Sequence, residues 1–164
     1  MIMVNNEAVV KIISDLTSIK GEPCKKTLQK IVFLVEAKGI DLGCDYGIHF
    51  YGPYSSDLDF AIRELCDEGV LSIQYTPLEH KIHVEDHTMG AQYNNEKVSE
   101  IVSEFGKDTA SELELLATAL YVYLKGRDIE KVTLGVKKIK GEKYSDQRIS
   151  EAVNRLHRTG FFAT

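Results

Sequence analysis

The chain has no long hydrophobic run, and it has no basic segment at its beginning. No stretch approaches the roughly 20 consecutive apolar residues that a membrane-spanning helix needs. The first residues, Met-Ile-Met-Val-Asn-Asn-Glu at 1–7, have neither the basic start nor the apolar core of a secretion signal. We therefore expect a cytoplasmic protein that does not associate with membranes.

Cysteine is scarce, and the usual catalytic motifs are missing. Cys24, Cys44 and Cys66 are odd in number and far apart, and no Cys-x-x-Cys pair is present, which argues against a disulfide framework or a thiolate zinc site. The sequence also has no glycine-rich phosphate loop, no nucleophile elbow and no histidine–cysteine pairing. These absences indicate free thiols and a non-catalytic protein, with no catalytic residue and no cofactor.

The composition is that of a folded protein whose charge is unevenly distributed. The 164 residues are 43% hydrophobic and 27% charged, enough for one compact domain or two small, closely packed ones. Residues 1–124 carry 10 Lys and Arg against 20 Asp and Glu, whereas residues 125–164 carry 10 against 5. Either the basic end meets nucleic acid, or the acidic and basic parts attract each other within a dimer.

Apolar residues recur at helical spacing in seven segments. The predicted helices span about 5–20, 25–38, 55–68, 93–106, 111–126, 128–140 and 145–158. Ser55 or Ser56 is expected to cap the third helix, with Ser56-x-x-Asp59 close to a capping box, and Ser111 to cap the fifth. Residues 46–51 form an extended segment that Gly52-Pro53 breaks, and alternation predicts strands at 70–75 and 81–85.

This order predicts a mainly α fold with a small β-hairpin, of the α+β class. Three helices followed by a hairpin suggest a winged helix-turn-helix-like unit at residues 1–90. Residues 91–164 would be a helical unit packed on the first. A shift of 91 residues lays Leu58 on Ile149 and Gly69 on Gly160, so the second unit either repeats the first without its wing or resembles it by chance.

In a winged helix the third helix is offered to DNA, and its exposed face should be basic. In the first unit this face is acidic, with five acids between residues 57 and 68 against Arg63. The second unit fits better, which makes it either a nucleic-acid-binding surface or an ordinary solvated basic face. The candidate nucleic-acid-binding residues are Lys137, Lys138, Lys140, Lys143, Arg148, Arg155 and Arg158.

Two further clusters are candidates for binding. In Tyr51-Gly52-Pro53-Tyr54, glycine permits a turn with positive φ and proline pre-sets φ for the start of a helix, while the tyrosines offer flat faces to a protein partner. His83, Glu85 and His87 would share one face of a strand, either as metal ligands or as an exposed strand edge. We take Tyr51 and Tyr54 as candidate partner-binding residues and predict no metal site.

Residues 8–75 resemble the YwgA-like family. The motifs that carry this resemblance are Leu-Gln-Lys-Ile at 28–31, Phe-Tyr-Gly-Pro-Tyr-Ser at 50–55 and Leu-Cys-Asp-Glu-Gly at 65–69. Lys30-Ile31 and Gly52-Pro53 are also similar, more distantly, to the SocA-like antitoxin ("Panacea") domains. That second resemblance implies binding of a toxin or an adaptor-type function.

These observations predict a regulatory or adaptor protein that binds DNA through its basic C-terminal helix, as a transcription regulator does. The alternative is an antitoxin-like module that binds a protein through the acidic N-terminal unit. The apolar helix at 111–126 exceeds what a core needs and so predicts a homodimer, through Leu113, Leu116, Leu120, Tyr121 and Tyr123.

Overall fold

The computed structural model describes residues 3–162, which form seven α-helices and two antiparallel hairpins. The elements are α1 (Asn6–Lys20), α2 (Lys25–Ala37), β1 (Gly47–His49), β2 (Gly52–Tyr54), α3 (Ser56–Asp67), β3 (Leu71–Tyr75), β4 (His80–Val84), α4 (Glu96–Phe105), α5 (Ala110–Gly126), α6 (Val132–Lys140) and α7 (Asp146–Arg158). A 3₁₀ turn at Ile129–Lys131 precedes α6. The predicted mainly α fold with a small β component is confirmed. Within residues 3–162, no helix combines the length and the apolar character needed to span a membrane.

Helix α2 lies at the centre of the fold. All of its residues from 28 to 35 are buried, because α2 packs against β2, β4, α4 and α5. The chain reaches α2 through Gly21, which ends α1 with a φ of 106°. Complete burial of a helix is expected where neighbours cover it on several sides, and it places the polar residues Gln29 and Lys30 in the interior.

The segment from α3 to β4 forms as predicted. The side chain of Ser55 caps α3 by accepting a hydrogen bond from the Leu58 N–H. Strands β3 and β4 pair from Leu71↔Val84 to Tyr75↔His80. A further antiparallel bridge joins Cys24 to Lys81, so the hairpin is attached to the segment between α1 and α2.

Two local predictions in this region are wrong. Ser56 does not cap α3, because it already lies inside the helix and the extended backbone of Ser55 (φ −117°) places that residue at the cap. Pro53 does not break the extended segment: the chain turns at Phe50-Tyr51, and Gly52–Tyr54 forms β2, with Ile48 opposite Pro53. A proline is tolerated in this two-stranded hairpin because its missing N–H can face away from the partner strand.

The fifth helix begins differently from the prediction. Thr109, and not Ser111, caps α5, since its hydroxyl accepts from the Glu112 N–H while the Glu112 carboxylate accepts from the Thr109 N–H. The helix ends at Gly126 as predicted, and Arg127, the residue after it, has a φ of 57°. These reciprocal bonds outweigh the single cap that Ser111 would have provided.

Helices α4 and α5 pack directly on the first half of the chain. Helix α4 contacts α1 and α2, and α5 contacts α2 and β2 as well as α6 and α7. One continuous hydrophobic core therefore includes residues of both halves. The division into units of 1–90 and 91–164 stays a prediction, and its boundary falls in the irregular segment between β4 and α4.

The apolar face of α5 is used inside the chain. Leu113, Leu116, Leu120 and Tyr123 are buried against the neighbouring helices, and Tyr121 is partly buried. These side chains do not form an exposed surface for a second copy. The homodimer stays a prediction without that support.

Candidate functional site

Two of the sequence motifs that carry the family resemblance meet in the interior. The Gln29 side chain donates from Nε2 to the Ser55 carbonyl at 2.9 Å and accepts at Oε1 from the Ser55 N–H at 2.8 Å. The Tyr46 hydroxyl donates to the Gln29 carbonyl at 3.0 Å. The amide thus satisfies buried backbone groups where β2 ends and α3 begins, and it fixes this junction on α2.

Lys30, the next residue of α2, holds the tip of the β1–β2 hairpin. Its side chain is buried (3% exposed), and Nζ donates to the Pro53 carbonyl at 2.7 Å. Within residues 3–162, no carboxylate lies within the 4.0 Å of an ion pair. Burial lowers the pKa of Lys30 to about 8, opposed by the charge of Glu114 and reinforced by those of Lys140 and Lys26.

Glu114, on α5, is a buried carboxylate that binds several groups at once. Its Oε2 lies 2.7 Å from Nζ of Lys143 and 3.4 Å from Nζ of Lys140, and it accepts a hydrogen bond from the Tyr144 hydroxyl. Burial raises the pKa of Glu114, but the hydrogen bonds from Lys143 and Tyr144 and the charge of Lys140 more than offset this, so the net shift is downward. The carboxylate is therefore ionised at neutral pH.

The same lysines reach the hairpin tip. Lys140 donates to the Phe50 carbonyl at 2.5 Å, and burial lowers its pKa although Glu114 opposes the shift. Lys26 places its Nζ 3.6 Å from the centre of the Tyr51 ring. We call Lys26, Lys30, Lys140 and Lys143 the lysine cluster. It surrounds the hairpin tip from α2 on one side and from the α6–α7 region on the other.

Gly52 lets the hairpin approach α5 closely. Its φ is 94°, and a Cβ there would lie 2.9 Å from Oγ1 of Thr118 and 3.4 Å from Cγ of Glu114. Among the described residues, Thr118 Oγ1 is buried without a hydrogen-bond partner. Glycine is thus needed both for the backbone conformation and for the space.

An open groove of about 360 Å³ lies beside the hairpin, between the start of α2 and α3. We call it the aromatic groove. Phe50 is 84% exposed and Tyr51 45% exposed, and their rings meet edge to face at 4.9 Å. The residues that line it are Lys25, Lys26, Gln29, Lys30, His49, Phe50, Tyr51, Gly52, Tyr54, Asp59, Ile62 and His80. Both candidate partner-binding residues, Tyr51 and Tyr54, are among them.

A smaller cavity of about 170 Å³ adjoins the groove. It is lined by Lys26, Lys30, Tyr51, Ala110, Ser111, Glu114 and Lys143. We call it the lysine pocket. It shares Lys26, Lys30 and Tyr51 with the aromatic groove, so the two cavities lie side by side.

The structure pairs most of the predicted nucleic-acid-binding residues with acids. Lys140 and Lys143 bind Glu114, Lys137 binds Asp146 and lies 3.8 Å from Glu142. Arg155 binds Asp108 and lies 3.3 Å from Glu104. Glu104 lies within α4, and Asp108 lies shortly after it. The residue spacing along α7 does not show that α7 contacts this part of the chain.

Three members of that predicted set remain on the surface. Lys138, Arg148 and Arg158 are exposed. Within the described part of the chain, Lys138 and Arg158 make no ion pair, and the Arg148 guanidinium lies 5.2 Å from the centre of the Tyr144 ring. The predicted basic face is thus reduced to these three side chains.

The histidine cluster is dispersed. Nδ1 of His83 lies 2.5 Å from Glu22, and its Nε2 lies 3.9 Å from Glu85. Across residues 3–162, no group of three or more histidine, cysteine or acidic side chains is arranged to hold a metal ion. Strand β4 ends at Val84, so Glu85 and His87 lie after the strand, and the prediction that they share a strand face with His83 is wrong.

Sequence reasoning missed Gln29, Lys30, Glu114 and Tyr144 as site residues. A signal was present, since Gln29 and Lys30 interrupt an apolar helix and Glu114 stands between two leucines. Polar side chains inside an apolar stretch need buried partners. The sequence did not show which partners these were.

Comparison with known proteins identifies one similar sequence. The uncharacterised protein YwgA of Bacillus subtilis (strain 168) is 28% identical over 160 residues, which covers 90% of this chain and 92% of the relative. No family model matches the sequence. The similarity supports the resemblance to the YwgA-like family and extends it beyond residue 75, and the relative's name carries no activity.

Proposed function

We propose that this protein is a non-catalytic adaptor that binds a protein partner through the aromatic groove. The observation that carries this proposal is Phe50, whose ring is almost fully exposed beside Tyr51 on a hairpin tip. Exposed aromatic side chains around a concavity are typical of protein-binding surfaces. They also supply large contact areas at low entropic cost.

The tip is held in a fixed position before a partner arrives. Lys30 binds the Pro53 carbonyl, Lys140 binds the Phe50 carbonyl and Gln29 binds Ser55. Three anchors from two helices limit the movement of a six-residue segment. A pre-ordered surface loses less conformational entropy on binding, which favours its use for recognition.

The acidic surface of α3 extends this groove. Asp59 lines the groove, and Phe60 beside it is 57% exposed. Asp59 is paired with Lys25 at 3.6 Å and with Arg63 at 3.4 Å. The basic rim of a partner would therefore face the exposed acids on and directly after α3 outside the groove, which are Asp57, Glu64, Asp67 and Glu68. This arrangement fits the antitoxin-like alternative, in which the N-terminal unit binds a toxin.

The proposal is tested with variants of the groove and a matched control outside it. Phe50→Ser and Tyr51→Ser remove exposed rings, and Leu78→Ser removes an equally exposed apolar side chain on the β3–β4 turn. The four tagged proteins would be purified from the native host, and co-purifying proteins quantified by mass spectrometry. We expect the wild type and Leu78→Ser to retain a partner that both groove variants lose. When the purified partner is titrated, the wild type and Leu78→Ser should bind it more tightly than the groove variants do. Equal retention by all four proteins would refute the proposal.

DNA binding is the second proposal, carried by the three exposed cations on α6 and α7. Helices α6 and α7 are joined by a short turn, as in a helix-turn-helix, and Lys138, Arg148 and Arg158 project from them into solvent. We expect duplex binding that weakens steeply with added salt and is reduced by substituting these three residues with alanine. Fluorescence anisotropy measures the affinity for duplex DNA at each salt concentration, with Lys97→Ala as the control. Binding that is absent at low salt would exclude a DNA-binding function.

A further inference from the structure

We propose that the lysine pocket binds a phosphate-type dianion, either inorganic phosphate or the phosphate group of a small monoester. This inference goes beyond the proposed partner groove, because it assigns a small-molecule ligand to the adjoining cavity. It rests on the charges, the hydrogen-bond donors and the shape of that cavity.

The charges around the pocket are unbalanced. Three lysines, Lys26, Lys30 and Lys143, line the pocket together with one carboxylate, that of Glu114. Lys140 and Lys143 both bind that carboxylate. Among the described residues, Lys26 and Lys30 have no carboxylate within ion-pair distance. A dianion in the pocket would offset the charge of Lys30, a buried ammonium group that has no ion-pair partner among the described residues.

Lys30 also has unused donors. Its ammonium group carries three N–H bonds, and the described residues provide one acceptor, the Pro53 carbonyl. The side chain is buried, so water does not freely replace the missing acceptors. Because Lys30 lines the pocket, a phosphate oxygen placed there would accept a hydrogen bond from a group that lacks an acceptor.

The opposite wall adds further donors. Ala110 and Ser111 line the pocket and form the first turn of α5, a helix of 17 residues. The N–H groups of a first turn have no acceptor within their own helix, and the helix dipole favours an anion there. The Ser111 hydroxyl lies on the same wall. The pocket is thus lined by ammonium groups and a helix N-terminus, and the one carboxylate in its lining, Glu114, is paired with Lys140 and Lys143.

The pocket has the size and access that an oxyanion requires. Its volume of about 170 Å³ is several times the roughly 30 Å³ occupied by one water molecule in the liquid. Lys26 and Lys143 lie at its exposed rim, where they can attract an anion from solution. The interior group, Lys30, would then complete the binding.

The connection with the aromatic groove decides how a larger ligand would lie. Tyr51 forms a wall of both cavities, and Phe50 stands next to it. A monoester with its phosphate in the lysine pocket would place its organic part against these rings. A nucleoside monophosphate, whose base can stack on an aromatic ring, is a suitable probe of this arrangement.

Phosphate binding would be measured by isothermal titration calorimetry and by amide NMR shifts at constant ionic strength, with inorganic phosphate and then adenosine monophosphate. We expect saturable binding, with shifts at Gly52, Ala110 and Ser111. Lys30→Met should abolish it, and a Lys26→Ala/Lys143→Ala double variant should weaken it about tenfold or more. Lys97→Ala, which removes an exposed lysine outside the pocket, should have no effect.

Each outcome decides the proposal. Tighter binding of adenosine monophosphate than of phosphate would identify a monoester as the ligand, and equal binding would identify the free anion. The double variant replaces two exposed rim residues, so it remains informative if Lys30→Met does not fold. Absence of saturation up to about 10 mM of either probe, or equal binding by the wild type and the double variant, would overturn the proposal. Neither result depends on Phe50, so it does not decide the partner groove.

Discussion

Gln29 binds the backbone of Ser55 through both its amide nitrogen and its carbonyl oxygen, at 2.9 and 2.8 Å. One side chain of α2 therefore joins the end of β2 to the start of α3. This pairing connects the two motifs of the family resemblance, which lie 26 residues apart along the chain. Stability, ligand binding and partner binding are all expected to depend on this contact and its neighbours.

Gln29→Leu should destabilise the protein by about 1–3 kcal/mol, because the buried Ser55 N–H loses its acceptor. The Ser55 carbonyl still accepts from the Asp59 N–H at 3.3 Å, so the loss is smaller than two complete hydrogen bonds. Urea unfolding monitored by circular dichroism measures the change. Gln92→Leu, at an exposed position, is the control. Equal stabilities of the two variants would contradict the role of this contact.

Lys30→Met should stabilise the protein at pH 7 in a chloride buffer free of phosphate. The folded-state pKa of Lys30, about 8, lies below the ordinary 10.5, so the charged form is the less favourable one in the folded protein. Wild-type stability therefore rises as the pH increases from about 8 to 10.5, and the advantage of Lys30→Met shrinks over that interval. The advantage at pH 7 is at most roughly 3 kcal/mol, reduced by the lost bond to Pro53.

Urea unfolding between about pH 6.5 and pH 10.5 measures this dependence, with Lys138→Met as the control. This range includes the interval of roughly pH 8 to 10.5 over which the stability is expected to change. The groups acting on Lys30 are Glu114, Lys140, Lys26 and Cys24. A stability difference that stays constant with pH would show that Lys30 titrates normally.

Gly52→Ala should lower stability by about 1–3 kcal/mol, because an L-residue is strained at a φ of 94° and its Cβ meets Thr118. The matched control is Gly47→Ala, in the paired strand, since a Cβ there meets no atom within 4 Å. Thermal unfolding of both variants provides the comparison. A loss of similar size at Gly47 would mean that strand propensity, and not the approach of α5, explains the result.

Sulfate binding to the lysine pocket should weaken as the pH rises through about 8, because Lys30 loses the proton that the anion requires. Sulfate keeps its charge over this range, so the change reports the protein alone. Calorimetric titrations at pH 7 and pH 9.5 measure the effect, since these values lie roughly one unit or more below and above that pKa. The Lys26→Ala/Lys143→Ala double variant keeps Lys30, so its weaker binding should decline over the same interval, and loss of the pH dependence in that variant would assign it to another group.

Helical spacing was sufficient to place most of the elements. The predicted helices at 5–20, 25–38 and 145–158 agree with α1, α2 and α7 within one or two residues. The ends were less certain, because neighbouring polar residues compete for a cap. Ser55 and Ser56 were both candidates and Ser55 is the cap, whereas Thr109 replaces the predicted Ser111. The β1–β2 hairpin was missed because its strands have three residues each, too few for an alternating pattern.

The predicted basic surface shows a different limit. The sequence identified a cluster of cations. Whether a cation is available to bind a ligand depends on the groups near it in space. Lys143 and Arg155 are bound by Glu114 and Asp108, which precede them by 29 and 47 residues. No local pattern encodes such a pairing.

The sequence by itself determined which segments are helical, which of their faces are apolar, and that no segment is apolar for long enough to span a membrane, since these properties depend on residues within a few positions of each other. Only the tertiary structure decided that the apolar face of α5 is covered within the chain, that Lys30 reaches Pro53, and that most of the C-terminal cations are paired with acids. The physical reason is that burial and electrostatic pairing depend on distances between segments, and packing fixes those distances.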